Sequence, residues 1–203
     1  MKSLIEEGYA DKSTLQKIME SKKTVKVDIK KMTVHNVHNW ILDKIKGEKQ
    51  KILLLGENNA LIAYILSNLG HKVTVMSEDE HHTNFMKEQD IQVSYINSSV
   101  LSCSSNKEYD VVVTIEYVER CSDASLVVSK INELLSKEGV YINVMSIEEN
   151  ILVKEMKYNF YSIMELYSTI STNYKICKLH KNEKYSRPKN RWGIVMRRDD
   201  KNE

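Results

Sequence analysis

Residues Lys51 to Leu69, KILLLGENNALIAYILSNL, constrain the fold more than any other stretch of the chain. A bare apolar run stops at Gly56, turns through polar residues, and restarts with helical spacing. The run Ile52-Leu53-Leu54-Leu55 is too short for a helix and has no polar alternation, which is the pattern of a strand covered on both faces in a parallel sheet. In open α/β sheets, ligands sit in the crevice outside the carboxyl ends of the strands, at the point where strand order reverses. Gly56 ends this strand, and a residue without Cβ lets backbone approach a ligand closely.

The unit recurs along the chain. Lys72 to Met76 follows Gly70, which reads as a helix C-cap; Gln92 to Ile96, Asp110 to Ile115 and Val140 to Val144 follow as further strands, with helix-like segments in most gaps. Such alternation requires right-handed crossovers and places helices on both faces. Tyr174 to His180 and Arg191 to Arg197 differ, because the polar loop between them holds the only proline, Pro188, and leaves no room for a helix. The expected architecture is therefore α/β, a doubly wound, mostly parallel seven-stranded sheet ending in an antiparallel C-terminal hairpin at one edge.

Upstream, Val34, Val37, His38, Ile41, Leu42 and Ile45 recur at three- and four-residue intervals, predicting an amphipathic helix that ends at Gly47 and covers the sheet before the first strand. The chain of 203 residues suits one domain, expected over 34–203, after an N-terminal basic arm over 1–33 in which Ser13 and Gln16 form a possible capping box. No apolar run approaches the roughly 20 residues of a membrane span, and the N-terminus lacks a signal-peptide core, so the expected compartment is the cytoplasm. Three cysteines, Cys103, Cys121 and Cys177, have neither disulfide parity nor zinc spacing and read as ordinary thiols. His35 and His38 share a helical face, but no partner lies at a telling interval, so no metal site is expected.

The order of KILLLGENNA, GHKVTVMSED, VSYINSSVLS, EYDVVVTIEYVERCSD and LLSKEGVYINV resembles the class I S-adenosylmethionine-dependent methyltransferase domain over roughly Val34 to Val144, with the terminal hairpin matching as well. Tyr109-Asp110-Val111-Val112-Val113 followed by Glu116, Glu119 and Asp123 is similar to that family's strand-four block. Leu134-Leu135-Ser136-Lys137-Glu138-Gly139 is similar to the block before its strand five. The resemblance implies a Rossmann-like methyltransferase fold with S-adenosylmethionine as cofactor. It also implies that the turn after strand one admits the methionine part, an acid ending strand two holds the ribose hydroxyls, and an acid after strand three holds the adenine amino group.

This chain departs from those positions. Against D-x-G-x-G-x-G it has Leu54, Gly56, Asn58 and Ala60; the ribose position falls on Ser77 with Glu78 beside it; the adenine position falls near Ser98 or Ser99, with Asn97 adjacent. A charged hydrogen bond is worth about 1.5–3 kcal/mol, so two lost carboxylates weaken binding by roughly a hundredfold or more unless neighbours replace them. Glu78 can replace one after a one-residue shift, and Asn58 adopts left-handed backbone angles more readily than most residues. The candidate cofactor-binding set is Gly56, Asn58, Ser77, Glu78, Asn97, Ser98 and Glu116.

Some relatives of this kind hold a divalent cation with E-x-x-E-H, whereas here the run is Glu116-Tyr117-Val118-Glu119-Arg120. A guanidinium offers no lone pair, so a salt bridge from Arg120 to one glutamate is the expected alternative. Glu116, at the end of strand four, is the candidate catalytic base. The base-methylating relatives carry an N/D-P-P-Y tetrapeptide after strand four, and Thr114-Ile115-Glu116-Tyr117 does not match it. Nucleic acid is therefore not the expected partner, and the basic C-terminal region from Lys175 to Arg198 reads as a solvated hairpin in a chain of net charge +2. Tyr158 to Tyr167 read as an aromatic-rich helix packing on the sheet.

The expected activity is methyl transfer from S-adenosylmethionine to a small-molecule oxygen or nitrogen, catalysed mainly by alignment. The alternative is an inactive methyltransferase-like scaffold or regulatory subunit that binds a protein partner or a second copy of itself. Asn58, Asn59 or Tyr64 filling the methionine space would favour that alternative.

Overall fold

The structure is a computed structural model that describes residues 36–57, 59–103, 108–147, 168, 174–182 and 190–198. Its elements run α1 (Asn36–Leu42), β1 (Lys51–Leu55), α2 (Ala60–Asn68), β2 (Lys72–Ser77), α3 (Glu80–Glu88), β3 (Ser94–Asn97) and β4 (Tyr109–Ile115). A 3-10 turn (Val118–Arg120), α4 (Ala124–Leu134), β5 (Leu135–Ile147), β6 (Tyr174–Asn182) and β7 (Asn190–Arg198) complete the order. The seven strands form one sheet, ordered β3-β2-β1-β4-β5-β7-β6. The first five are parallel. β7 inserts antiparallel between β5 and β6, as the proline-containing connection implied.

The apolar run of β1 is covered on both sides. Leu53 and Leu55 pack in one core cluster with Val112 of β4 and Val127, Val128 and Ile131 of α4. Ile52 and Leu54 face the opposite cluster, with Val37 and Ile41 of α1, Leu61, Ile62 and Leu66 of α2, and Met86 of α3. The period of two along the strand thus divides one short run between two helical layers. Asp110 joins strands at their other end, its carboxylate accepting the Lys51 backbone N–H at 2.8 Å.

Gly70 ends α2 in the left-handed region (φ +87°). Its N–H donates to the Ser67 carbonyl, and that of His71 to the Leu66 carbonyl, the paired bonds of a Schellman cap. Asp90 (φ +54°) ends α3 in the same way, with Ile91 bonding back to Met86. That cap consumes the residues after it, which is why β3 begins at Ser94 and not at Gln92. β5 is longer than the expected Val140 to Val144: Leu135 already pairs with Tyr109, the register then jumps to Val140 opposite Val111, and residues 136–139 bulge out. Gly139 is needed there, because a Cβ would meet the Ser136 carbonyl oxygen at 2.9 Å.

α1 ends at Leu42, short of the Ile45 in its apolar pattern, and its last apolar positions continue as turns. It lies against β7, where a Cβ on Gly193 would come within 2.6 Å of the Trp40 ring. The basic arm over 1–33, the Tyr158 to Tyr167 segment and the Pro188 loop lie outside the described residues. Among the described residues, no helix is long and apolar enough to cross a membrane.

Overpacking a close contact costs about 1–3 kcal/mol. Gly193→Ala is expected to destabilise the protein by that amount in urea unfolding, and combining it with Trp40→Leu should recover part of the loss. Full additivity of the two changes would show that the contact is absent in solution.

Candidate active site

Strand order reverses between β1 and β4, and a cleft of about 320 Å³ opens beyond their carboxyl ends. Gly56 forms its base, held in the left-handed region (φ +95°) with its N–H donating to the Met76 carbonyl at 3.0 Å. Asn59 is buried and turns back on the strand, donating Nδ2 to the carbonyls of Leu55 (2.7 Å) and Gly56 (3.2 Å). It ties off the turn so that α2 starts at Ala60. Tyr64 packs with the Ile52 and Leu54 cluster. Neither Asn59 nor Tyr64 is part of the cleft lining, and Asn58 lies outside the described residues.

From β2, both Ser77 and Glu78 reach the lining. Ser77 is buried and its Oγ accepts the Asp79 N–H at 3.1 Å, while Asp79 caps α3 through the His81 N–H at 2.8 Å. Glu78 is exposed and carries the carboxylate of this corner. Beyond β3 the lining residues are Ser99 and Leu101, not Asn97 or Ser98. Asn97 points to Glu80, at 3.4 Å, and the Ser98 hydroxyl donates to the Ser99 carbonyl at 3.0 Å.

Glu116 closes β4 in a left-handed conformation (φ +50°), its N–H donating to the Val144 carbonyl at 2.7 Å. A buried residue with a Cβ pays about 1–2 kcal/mol for that conformation, a cost that surrounding structure must offset. Glu116 borders the cleft, but its carboxylate is wholly buried and meets Arg120 at 3.3 Å, the salt bridge that the missing histidine suggested. Glu119 is buried. Asp123, the last acid of the strand-four block, caps α4 by accepting the Leu126 N–H at 2.9 Å. Among the described residues, no three His, Cys, Asp or Glu side chains are grouped to hold a metal ion.

Tyr117 and Cys121 are among the lining residues that the sequence patterns did not single out as site residues. The Tyr117 ring packs on Gly56 so closely that a Cβ there would meet Cδ2 at 2.9 Å. Burial chiefly, with Cys121 and Glu78 nearby, pushes the Tyr117 phenol well above its ordinary value, against a hydrogen bond from the Val100 backbone. The Cys121 Sγ donates to the Tyr117 carbonyl at 3.3 Å. The one available sequence signal was an aromatic residue immediately after the strand-four acid.

Charge in the cleft is one-sided: Glu57, Glu78 and Asp123 border it, while Arg120 is paired with the buried Glu116. An acidic concavity raises the local concentration of cations and repels phosphates.

Comparison with solved structures places this geometry. A TehB-like S-adenosylmethionine-dependent methyltransferase from Corynebacterium glutamicum superimposes with a TM-score of 0.68 at 11% identity, covering 92% of this chain and 95% of that one. The N-methyltransferase NodS from Bradyrhizobium japonicum, in complex with S-adenosylhomocysteine, gives 0.69 at 10% identity, covering 92% and 97%. The fold is that of the class I methyltransferases. By sequence, the ubiquinone biosynthesis O-methyltransferase of Rickettsia canadensis is 29% identical over 112 residues, 51% of this chain and 48% of that protein. The chain thus spans about half the length of the curated relatives it matches. No family model matches it. The class I resemblance read from the strand blocks is thereby shown.

Burial first, then the Glu119 carboxylate, pushes the Cys121 thiol up to about 11. The thiolate is the nucleophile, and an ordinary thiol titrates near 8.5, so alkylation of Cys121 at pH 8 should run roughly two hundredfold slower than that of a free cysteine. The rate should climb about tenfold per pH unit and level off only near pH 11, measured by peptide mapping. A plateau near pH 9 would contradict the assigned environment.

Proposed function

We propose that this cleft binds S-adenosylmethionine and that the protein transfers its methyl group to a small-molecule oxygen or nitrogen acceptor. The observation that carries the proposal is the acidic cleft at the strand-order switch, with Gly56 at its base. The similarity to ubiquinone biosynthesis O-methyltransferases over half the chain supports the same reading. The residues fit the group in kind: a cationic sulfonium suits a lining with the acids Glu57, Glu78 and Asp123 and a guanidinium already paired with Glu116, and the cleft lies at the small end of the about 300–1,000 Å³ typical of ligand sites.

When bound, the cofactor supplies an activated methyl group with a neutral thioether as leaving group. The chain's own part is to orient and to manage protons. Glu78 accepts hydrogen bonds from the ribose hydroxyls in place of the expected Ser77, whose hydroxyl is already engaged with Asp79. Ser99, one of the two expected positions after strand three, faces the adenine side. Glu116, fixed by Arg120 and by its bond to Val144, receives the acceptor's proton as the new bond forms. Much of the acceleration comes from in-line alignment rather than from a strong base.

Titration calorimetry should give a micromolar Kd for S-adenosylmethionine. Glu78→Gln should weaken it by about tenfold or more, the value of a charged hydrogen bond. Gly56→Val should abolish binding, because the new side chain meets Tyr117. No heat and no thermal shift with millimolar ligand would refute the assignment.

A further inference from the structure

We infer that Tyr117 is the affinity-determining residue of the cleft, a side chain that lies in the space a nucleoside ligand needs and must be displaced for it to bind; this rests on the function proposed above. Three observations place the ring. Its Cδ2 occupies the space that the missing Cβ of Gly56 would open to a ligand. At its far end the phenol lies beside the Val100 backbone, so the side chain reaches from the turn after β1 to the loop after β3. It also lines the cleft together with Glu78 and Ser99, the groups placed to hold ribose and base.

A glycine at a strand end, held at φ +95°, is costly backbone whose use is close approach by another group. Here the approaching group belongs to the protein. A ligand that takes the same position binds only the fraction of molecules in which Tyr117 has moved, so its apparent Kd exceeds the intrinsic value by the reciprocal of that fraction. Tyr117 follows Glu116, the strained left-handed residue, and its ring is half-buried at the cleft surface rather than enclosed in the core. Rotation toward solvent therefore leaves the sheet intact.

The test is calorimetric titration of S-adenosylhomocysteine into the wild-type protein, Tyr117→Phe and Tyr117→Ala, with thermal unfolding of each. Tyr117→Ala is expected to bind about tenfold tighter than wild type, and Tyr117→Phe, which keeps the ring and loses the hydroxyl's contacts with Val100 and Cys121, about threefold tighter. Lost packing alone would not tighten binding, so this direction separates displacement from a structural role. The phenylalanine variant keeps the ring and gives the answer if the alanine variant unfolds. Equal or weaker binding by the variants, with the wild type still binding, would overturn the role of Tyr117 and leave the cofactor assignment standing. Absence of binding in all three would overturn both.

Discussion

The parallel pairing of β1 with β4 governs the rest of the molecule. Ile52, Leu53, Leu54 and Leu55 run beside Val111, Val112, Val113 and Thr114, and each strand loses water on both faces only because helices cover both. Chirality then sends the chain outward from this pair in opposite directions, to β2 and β3 on one side and to β5 on the other. The turns that leave β1 and β4 consequently diverge, and the gap between them is a product of topology before any residue in it is considered. Burying eight apolar or hydroxyl-bearing residues in the middle of the sheet and opening a cleft at its end are one event.

Most of the frame was legible because it is written in apolar periodicity. Bare runs gave β1, β2 and β4, Gly70 gave the end of α2, and Pro188 correctly separated the hairpin from the crossover units. Errors fell where hydrogen bonding outweighs hydrophobicity. Gln92 and Val93 have strand-like composition, yet the left-handed cap at Asp90 holds that segment back from the sheet. The length of β5 depends on a bulge that no apolar pattern records. In the cleft, alignment by position put weight on Ser77, Asn97 and Ser98, but short hydroxyl and amide side chains satisfy themselves on nearby backbone or neighbours. Of the residues weighed there, Ser77, Glu78 and Ser99 reach the lining, whereas Asn97 and Ser98 do not. Tyr117 was illegible as a cleft residue for another reason: where a side chain goes after a left-handed residue depends on tertiary packing.

The divergence of the cofactor motifs is less damaging in space than on paper. Asn58 to Ala60 replace a glycine-rich turn, yet Asn59 ties the turn to the strand through two carbonyls and keeps its own side chain out of the cleft. Acidic residues are also not scarce: they come from the turns after β1 and β2 and from the cap of α4, with Glu116 buried behind them. Arg120, which replaces a would-be metal ligand, is paired with Glu116, so a charge that would repel a cationic ligand is neutralised at close range.

Beneath the cleft, Thr114 donates to the Asn143 side-chain carbonyl at 2.8 Å, which obliges the Tyr141 hydroxyl to donate to the Thr114 oxygen at 2.9 Å. All three are sealed from water, and burial pushes the Tyr141 phenol far above its ordinary value. Val and Thr are near-isosteric, so aliphatic packing alone would tolerate β5 sliding along β4, whereas this trio makes every slipped alignment strand at least one polar group in a dry interior. It acts as a vernier between neighbouring strands. Glu116 hangs from Val144 one step further along, so the setting of that scale is carried directly to its buried carboxylate.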